Sequence, residues 1–343
     1  MRRMTWLTTI VLVIAVVLVG CGKKDAGGVV KDLGKVVSSM ESYQGAGRMI
    51  LQSGQQPQEY AVEVWYQSPH FYRIMLKNEE KDITQIVLRN EDGVFVLTPH
   101  LNKSFRFQSD WPENQQQVYL YQSLVKSITE DAQRNFTTDK ESYVFEVAAN
   151  YSTGTLTRQK IWLDQKSLKP QKVEVSDASN HVVVKVDFTT FEFGKKFEKD
   201  SFDMQRNMTS FNLQSMQTMT PPQEDQDHQS DQVDLVDLYI PNGVSQQDIS
   251  TVKYGENDAL LIRYTGKYNY SVLEAKPREQ AVSSMIAGDI VDLGFTMAVM
   301  TGDEKRTLSW ISDGVEYRLT TSDLPKEEMI QVAQSSNNPT MMK

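Results

Sequence analysis

Two stretches of the chain carry apolar residues at spacings of three and four, the pattern of a helix with one buried face. They lie at residues 29–42 and 114–129. The apolar positions are Val29, Val30, Leu33, Val36, Val37 and Met40 in the first stretch, and Val118, Tyr121, Leu124, Val125 and Ile128 in the second. Residues 110–113 (DWPE) resemble a capping box with a proline in the first turn. The pattern therefore predicts two amphipathic helices.

Much of the remaining chain alternates between apolar and polar residues, which is typical of half-buried strands. Before position 207 the alternating segments are residues 60–66, 71–76, 83–88, 94–97, 143–149, 155–163, 171–175 and 181–193. A turn signal, NEDG at residues 90–93, separates two of them. The order of helix, strands, helix and strands predicts a mainly β (α+β) fold. We expect a strongly curved antiparallel sheet (half-barrel) with two helices on its concave face.

The alternation stops at residues 207–232, where Pro, Gln, Asp and Glu replace most apolar residues. Such a composition is typical of a solvated linker. Strand patterns resume at residues 259–264, 268–275, 290–300, 307–311 and 315–319, and a helix begins near Pro325. The predicted organisation is a first domain at residues 29–206, an acidic linker at 207–232, a smaller α+β domain at 233–336 and a frayed tail at 337–343.

The start of the chain has the three parts of a bacterial lipoprotein export signal. Arg2 and Arg3 form a positive segment, residues 10–19 form an unbroken apolar run, and residues 18–21 (LVGC) match the lipobox pattern. The apolar run is short for a hydrocarbon core of about 30 Å, which disfavours the alternative of an uncleaved membrane anchor. The predicted features are a signal peptide at residues 1–20, cleavage between Gly20 and Cys21, lipidation of Cys21 and a tether at residues 21–28.

Charge and cysteine content agree with a lipid anchor and limit the partners. The formal net charge is −9, and removal of Arg2 and Arg3 without any acidic residue makes it −11. Because an acidic chain repels nucleic acid and anionic headgroups, we predict no nucleic-acid partner and a membrane contact through acylated Cys21. Cys21 is also the only cysteine, so no disulfide within the chain is expected. The predicted location is the extracytoplasmic face of the cell membrane.

No pattern of catalytic or metal-binding residues stands out. The four histidines, His70, His100, His181 and His228, have no His or Cys partner at ligand spacing. Gly-x-Ser-x-Gly and P-loop motifs are absent. We therefore predict no catalytic residue, no metal and no cofactor, and we expect a protein that is not an enzyme. An envelope hydrolase is the least favoured alternative.

Apolar side chains on the strands of the first domain form the candidate binding surface. They have an alternative interpretation, because any half-buried sheet needs such residues for its core. A strongly bent sheet with only two helices to fill it has room for an apolar cavity that suits acyl chains. The residues predicted to line this cavity are Val62, Val64, Ile74, Leu76, Val94, Val96, Phe105, Phe107, Tyr121 and Leu124.

Several short segments resemble the LolA/LolB-like superfamily of lipoprotein carriers. In the first domain they are residues 64–73 (VWYQSPHFYR), 90–93 (NEDG), 161–164 (IWLD), 168–170 (LKP) and 188–202. Residues 310–319 (WISDGVEYRL) and 324–333 resemble a small domain appended to such proteins in Gram-positive bacteria. The combination is most similar to the sporulation-associated LolA-like lipoproteins of Gram-positive spore formers. It is also similar to two-domain LolA-like regulators that bind an anti-sigma factor.

The resemblance implies a membrane-anchored, non-enzymatic lipoprotein that binds an acyl chain, a lipoprotein or an apolar peptide in sporulation or envelope biogenesis. Cys21 departs from the soluble carriers, because a tethered chain cannot act as a diffusing shuttle. Ser68 stands where Gram-negative carriers often have an arginine that holds a helical lid, so this latch is not carried over. The alternative is a structural or regulatory accessory lipoprotein that positions or controls an envelope partner, such as a cell-wall enzyme or an anti-sigma factor.

Overall fold

The regions described by the computed structural model cover most of the chain after the predicted signal peptide. They are residues 24–52, 57–108, 111–112, 117–149, 151, 156–209, 237–255, 257–277 and 281–337, with the backbone alone for residues 108 and 281–287. The predicted signal peptide, the lipidation site Cys21, residues 210–232 of the predicted linker and the tail from residue 338 lie outside these regions. Their predictions remain predictions.

The first described element is helix α1, which spans Ala26–Ser39. The Asp25 side chain caps the N-terminus of this helix, because its Oδ1 accepts a hydrogen bond from the backbone N–H of Gly28 at 2.8 Å. The apolar pattern predicted residues 29–42 for this helix. The helix ends earlier because Ser42 already belongs to the first strand.

Eleven strands and two further helices follow in the described residues up to position 209. The strands are β1 Ser42–Leu51, β2 Gln58–Gln67, β3 Phe71–Asn78, β4 Ile83–Asn90, β5 Gly93–Thr98, β6 Lys103–Gln108, β7 Asn135–Thr138, β8 Ser142–Ala148, β9 Leu156–Asp164, β10 Pro170–Asp177 and β11 Val182–Phe193. Helix α2 spans Tyr121–Glu130, and residues 204–209 form helix α3.

Seven strands and one helix make up the described part after residue 237. They are β12 Val244–Tyr254, β13 Asn257–Gly266, β14 Tyr270–Ala275, β15 Ala281–Asp292, β16 Met297–Thr301, β17 Arg306–Ser312, β18 Val315–Thr321 and helix α4 Lys326–Ser335. The alternating pattern predicted one strand over residues 290–300, and this was wrong. The chain turns at residues 293–296, where the Leu293 N–H donates to the Thr296 carbonyl at 3.0 Å.

The described strands pair into one sheet of 18 strands. Its spatial order is β7, β8, β9, β10, β11, β1, β2, β3, β4, β5, β6, β15, β16, β17, β18, β14, β13 and β12. All neighbours are antiparallel except β6 and β15, which are parallel. The prediction of a mainly β fold built on antiparallel strands is confirmed.

One face of β1–β6 and β8–β11, here called the inner face, carries the larger apolar core. Its cross-strand neighbours include Ile161, Val173, Val186, Met49 and Tyr60, and all are at most 5% exposed. This face results from the period of two in each strand, which places alternate side chains on the same side.

Helix α2 lies on the inner face. The Tyr121 ring is 6.3 Å from the Tyr43 ring and 5.2 Å from the Phe193 ring, and its hydroxyl donates to the Leu168 carbonyl at 3.1 Å. The helix begins at Tyr121 and not near residue 114, because Leu120 is extended. The Tyr121 N–H instead donates to the Tyr43 hydroxyl at 3.3 Å.

The opposite, outer face of β2–β5 is covered by residues 197–209. Trp65 stacks on Phe197 at 5.3 Å, and Arg73 Nε donates to Asn207 Oδ1 at 2.6 Å. The buried cluster beneath them contains Ile86, Leu88, Phe95, Leu97, Phe202 and Met208. Asn207, the first residue of the predicted linker, therefore still packs against the sheet.

Helix α4 packs against β17. Its Met329, Ile330 and Ala333 are at most 1% exposed, and Trp310 Nε1 donates to Ser336 Oγ at 2.8 Å just after the helix. The other face of β17 and β18 lies opposite the inner face of β4–β6, where side chains of both groups line one cavity.

The residues from Met40 onward form one compact unit. The boundary predicted between residues 29–206 and 233–336 remains a prediction. Asn337, the first residue of the predicted tail, is buried and its carbonyl accepts a hydrogen bond from Gln58 Nε2 at 3.3 Å. In the described part of the chain, the helices are too short or too polar to cross a bilayer.

Candidate functional site

A cavity of about 360 Å³ lies between the inner face of β4–β6 and the strands β16–β18. We call it the β6–β18 cleft. Its lining residues are Gln85, Val96, Thr98, Lys103 and Phe105 from the first part of the sheet, and Tyr254, Met297, Val299, Thr301, Ser309, Trp310, Ile311, Glu316 and Arg318 from the second. Seven of these fourteen side chains are polar or charged, and the others are apolar or aromatic. The cleft therefore offers both apolar contact and polar groups that can orient a ligand.

Strand alternation explains which side chains face the cleft. In β6, Lys103 has the same parity as Phe105, so both belong to the inner face. In β18, Tyr317 is buried on the side of helix α4. Its neighbours Glu316 and Arg318 point to the other side, toward the cleft.

Lys103 and Glu316 form a buried ion pair across the cleft. Lys103 Nζ lies 2.8 Å from Glu316 Oε2, and the two side chains are 2% and 8% exposed. The ammonium also lies 5.2 Å from the centre of the Phe105 ring, within the range of a cation–π contact. Each charge therefore depends on the other for solvation, because water reaches neither side chain freely.

Arg318 differs from Lys103, because its hydrogen-bond partner is a hydroxyl and not a carboxylate. Its Nη1 donates to the Tyr254 hydroxyl at 2.9 Å, and the guanidinium carbon lies 5.9 Å from the Tyr254 ring. Among the described residues no carboxylate forms an ion pair with Arg318. The Tyr254 hydroxyl is itself 3.5 Å from Glu316 Oε1. Arg318 is thus held at the cleft by a neutral partner.

Gln85 closes the inner end of the cleft. Its Nε2 donates to the Met297 carbonyl at 3.3 Å, and its Oε1 accepts from the Met297 N–H at 2.6 Å. The same oxygen accepts from Thr296 Oγ1 at 3.3 Å. The side-chain amide therefore pairs with β16 as a neighbouring strand would, and it links the two parts of the sheet.

The ten residues predicted to line an apolar cavity have different surroundings in the structure. Val96 and Phe105 line the β6–β18 cleft, Leu76 lines a cavity of about 30 Å³ beside it, and Val62 borders a groove near β1. The other six are at most 1% exposed in the core: Val64, Ile74, Val94, Phe107, Tyr121 and Leu124. Trp111 and Tyr119, also at most 1% exposed, contribute to the same filled region. The apolar cavity that the sequence predicted for these ten residues remains a prediction.

The sequence predictions did not include Gln85, Lys103, Tyr254, Glu316 or Arg318. One signal was present for Lys103, because it shares strand parity with two phenylalanines. A lysine on an apolar face needs a partner. The partner on β18 could not be located, since no local pattern shows that β6 and β15 are neighbours.

A second cavity of about 770 Å³ lies on the outer side of β1–β3, and we call it the outer groove. Its lining residues are Ala46, Gly47, Arg48, Pro57, Glu59, Tyr60, Ala61, Val62, Glu63, Met75, Glu79, Glu80 and Thr189. Arg48 pairs with Glu59, and Glu63 pairs with Arg73 at 2.8 Å. Glu79 and Glu80 are exposed at the edge of the groove and make this rim acidic, and the lining also includes Ala46 and Ala61.

The segments of the first domain that carried the family resemblance form turns and packing contacts, whereas residues 310–319 contribute Trp310, Ile311, Glu316 and Arg318 to the cleft. Arg73 lies 4.3 Å above the Trp65 ring at the β2–β3 hairpin. Asp164 accepts hydrogen bonds from the Ser167 hydroxyl and N–H at 2.6 and 2.7 Å. The Ser167 hydroxyl is the main cause that lowers the pKa of Asp164. These residues shape the sheet and lie outside the cleft.

The histidines lie apart from one another. His70 Nε2 is 3.5 Å from a Glu91 carboxylate oxygen, and His181 Nδ1 is 3.4 Å from an Asp177 carboxylate oxygen. His100 is partly buried, and this burial lowers its pKa. His228 lies outside the described regions. Within those regions, no group of three or more His, Cys, Asp or Glu side chains is placed to hold a metal ion.

Comparisons with known proteins identify the family. The family described as "Sporulation protein YdcC-like" matches residues 1–202. The chain is 38% identical over 327 residues to the sporulation protein YdcC of Bacillus subtilis (strain 168), which covers 94% of each chain.

Similar solved structures are more distant. The Pseudomonas aeruginosa MucA/MucB complex matches with 13% identity over 89% of this chain and 96% of that chain, at a TM-score of 0.30. The LolA superfamily protein NE2245 from Nitrosomonas europaea matches with 12% identity over 53% of this chain and 99% of that chain, at a TM-score of 0.31. The resemblance to sporulation-associated proteins is confirmed by the family match, and the chain belongs to the YdcC-like sporulation protein family.

Proposed function

We propose that this protein is a membrane-anchored, non-enzymatic lipoprotein of the sporulating cell envelope that binds an apolar chain in the β6–β18 cleft. The chain would belong to a lipid, a lipoprotein or an apolar peptide. The family relationship supports a role in sporulation. The observation that carries the ligand proposal is the cleft itself, with the apolar side chains of Val96, Met297 and Val299 on one side and a volume of about 360 Å³.

The walls of the cleft favour an apolar occupant. Val96, Met297 and Val299 form its buried side, and the half-buried Phe105 and Ile311 lie nearer to solvent. Burial of apolar surface stabilises such a complex by roughly 25 cal/mol per Å². The volume falls within the range of about 300–1,000 Å³ that is usual for small-molecule sites.

The membrane anchor in this proposal is acylated Cys21. The lipobox at residues 18–21 supports it, and two acyl chains suffice for stable anchoring where a single chain gives only marginal binding. A tethered protein would hold its ligand at the extracytoplasmic face and would not carry it between membranes. The protein would therefore act as a stationary receptor.

Binding of the uncharged dye Nile red to the purified protein tests the ligand proposal. Ser309→Trp places a large side chain in the cleft, and we expect it to abolish dye binding. Thr189→Trp is the matched control, because Thr189 lies in the outer groove. Dye binding that is absent from the wild-type protein, or equal in both variants, would remove the cleft from the proposal.

The outer groove favours a second candidate function, that of an accessory protein that holds a protein partner. The groove is about 770 Å³ in volume, and Glu79 and Glu80 are exposed on its rim. If so, crosslinking in sporulating cells should join a partner protein both to the wild-type protein and to the Ser309→Trp variant, because Ser309 lies outside the groove. Thr189→Trp should lose it. Equal capture by both variants would contradict a role for the groove.

A further inference from the structure

The charges in the β6–β18 cleft do not cancel. Of the residues that line it, Lys103 and Arg318 are cationic and Glu316 is anionic. Lys103 is neutralised by Glu316 at 2.8 Å. One positive charge is left on Arg318, although the whole chain has a formal net charge of −9. The cleft is therefore a locally cationic site in an acidic protein.

Arg318 is also placed to receive an anion. A guanidinium has five N–H donors, and the described contacts of Arg318 use one of them, from Nη1 to the Tyr254 hydroxyl. The side chain is half-buried, so it is neither enclosed in the core nor fully solvated. A carboxylate accepts two parallel hydrogen bonds from such a group, which makes the contact both strong and directional.

The apolar part of the ligand would lie next to this charge. Ile311 and Ser309 are neighbours of Glu316 and Arg318 across the β17–β18 ladder, and Val96 and Phe105 face them from the other wall. We propose that the cleft binds a single-chain anionic amphiphile, with its carboxylate on Arg318 and its hydrocarbon chain between these walls. This inference rests on the proposed function, because it assigns the head group of the same ligand.

A comparison of decanoate with decanol tests the head-group preference by titration calorimetry. The two probes have the same chain, and only decanoate carries a charge. A hydrogen bond to a charged group contributes about 1.5–3 kcal/mol, so we expect the wild-type protein to bind decanoate about 10- to 100-fold more tightly. Arg318→Gln should reduce this ratio to near one, with little change in the affinity for decanol.

Two further variants separate recognition from folding. Arg318→Lys keeps the positive charge but cannot form the bidentate hydrogen bonds of a guanidinium, so we expect an intermediate preference for decanoate. Arg263→Gln is the control, because Arg263 lies on β13 and pairs with Asp248 at 2.9 Å outside the cleft. It should keep the wild-type ratio.

The outcomes distinguish this inference from the proposed function. Equal affinity of the wild-type protein for decanoate and decanol, with both lost in Ser309→Trp, would overturn the role of Arg318 and leave an apolar ligand site. Failure of the wild-type protein to bind either probe would overturn both proposals. A preference for decanoate that survives undiminished in Arg318→Gln would also contradict the assignment.

Discussion

At the scale of single residues, the Lys103–Glu316 pair shows how a charge is kept inside an apolar face. Lys103 follows the strand parity of its phenylalanine neighbour and is 2% exposed. Two charges removed from water are tolerated only while they remain together, because each lacks another source of solvation. The pair therefore depends on contact between β6 and β18.

Removal of one partner should expose this dependence. We expect Glu316→Gln to lower the free energy of unfolding by about 3–5 kcal/mol, since it leaves the Lys103 ammonium buried without a counter-charge. The double variant Lys103→Met with Glu316→Leu should be close to the wild-type protein or more stable. Urea unfolding of the purified protein measures both. The exposed Glu304→Gln serves as the control, with a change within about 0.5 kcal/mol. A small loss in Glu316→Gln would contradict the buried pair.

Local alternation indicates which side chains share a face of the sheet, but it does not identify the other wall of a site. Val96 and Phe105 were predicted to line an apolar space, and they face the cleft. Their partners Glu316 and Arg318 come from a strand more than 200 positions later. No periodicity links such distant segments, so the polar half of the site could not be predicted.

At the scale of elements, strand β1 depends on glycine at one position. The pairing of β1 with β11 shifts register between Ala46 and Gly47. A Cβ atom on Gly47 would lie 2.4 Å from the Asp187 carbonyl oxygen, which is closer than atoms can approach. The backbones of the two strands therefore meet where a side chain cannot fit.

Gly47→Ala should destabilise the sheet, and Gly34→Ala in helix α1 is the matched control. The first change forces β1 away from β11, and we expect a loss of about 1–3 kcal/mol, as for other overpacked sites. The second meets no atom within 4 Å. It should stabilise the protein by up to about 1 kcal/mol, because alanine favours a helix more than glycine does. Melting temperatures that shift equally would contradict this account of Gly47.

Element boundaries were predicted well where the pattern was local and poorly where tertiary contacts decide them. Strand β2 was predicted at residues 60–66 and spans Gln58–Gln67. Helix α2 was predicted from residue 114, yet it begins at Tyr121. A distant hydroxyl, that of Tyr43, accepts the hydrogen bond from the first N–H of this helix.

At the scale of the whole molecule, a few polar contacts outside the ladders join the two parts of the sheet. Gln85 pairs with Met297, and the Tyr119 hydroxyl lies 3.2 Å from Asp292 Oδ2. Burial raises the pKa of Asp292 from 3.8 to about 6, although hydrogen bonds from Gly294 and Tyr119 oppose the shift. This carboxyl lies at the end of β15, the strand that connects the two parts.

The raised pKa makes stability depend on pH. Between 3.8 and about 6 the folded protein holds the Asp292 proton while the unfolded chain releases it. The contribution of this group to stability is therefore fully present below the lower value, and it decreases by at most about 3 kcal/mol as pH rises through the window. Above the window it stays constant.

Asp292→Asn should remove this part of the pH dependence, because an amide does not ionise. Denaturant unfolding of both proteins from pH 4 to pH 7 isolates the effect as a difference. We expect the variant to gain stability relative to the wild-type protein as pH rises, since the wild-type carboxyl has to ionise where burial opposes its charge. Parallel stability curves would show that Asp292 ionises freely in the folded protein.

The fold class followed from the sequence, whereas the joining of its two parts did not. Alternating strands and short turns identify an antiparallel sheet. The parallel contact between β6 and β15 brings together residues such as Arg106 and Met285, which lie far apart in sequence. No local residue pattern indicates that two segments so far apart in sequence are neighbours. The junction between β6 and β15, and the cleft beside it, could therefore be found only from the structure.

The open strand order leaves two free edges in the described sheet, at β7 and at β12. Free edges invite strand addition from other molecules, which is the first step of aggregation. β7 is only four residues long, and the edge strand β12 carries Asp248 and Lys253 in ion pairs with β13. Short length and fixed charges keep neighbouring copies from extending one another's sheets. Copies held close together would therefore be less prone to join through the edges of their sheets.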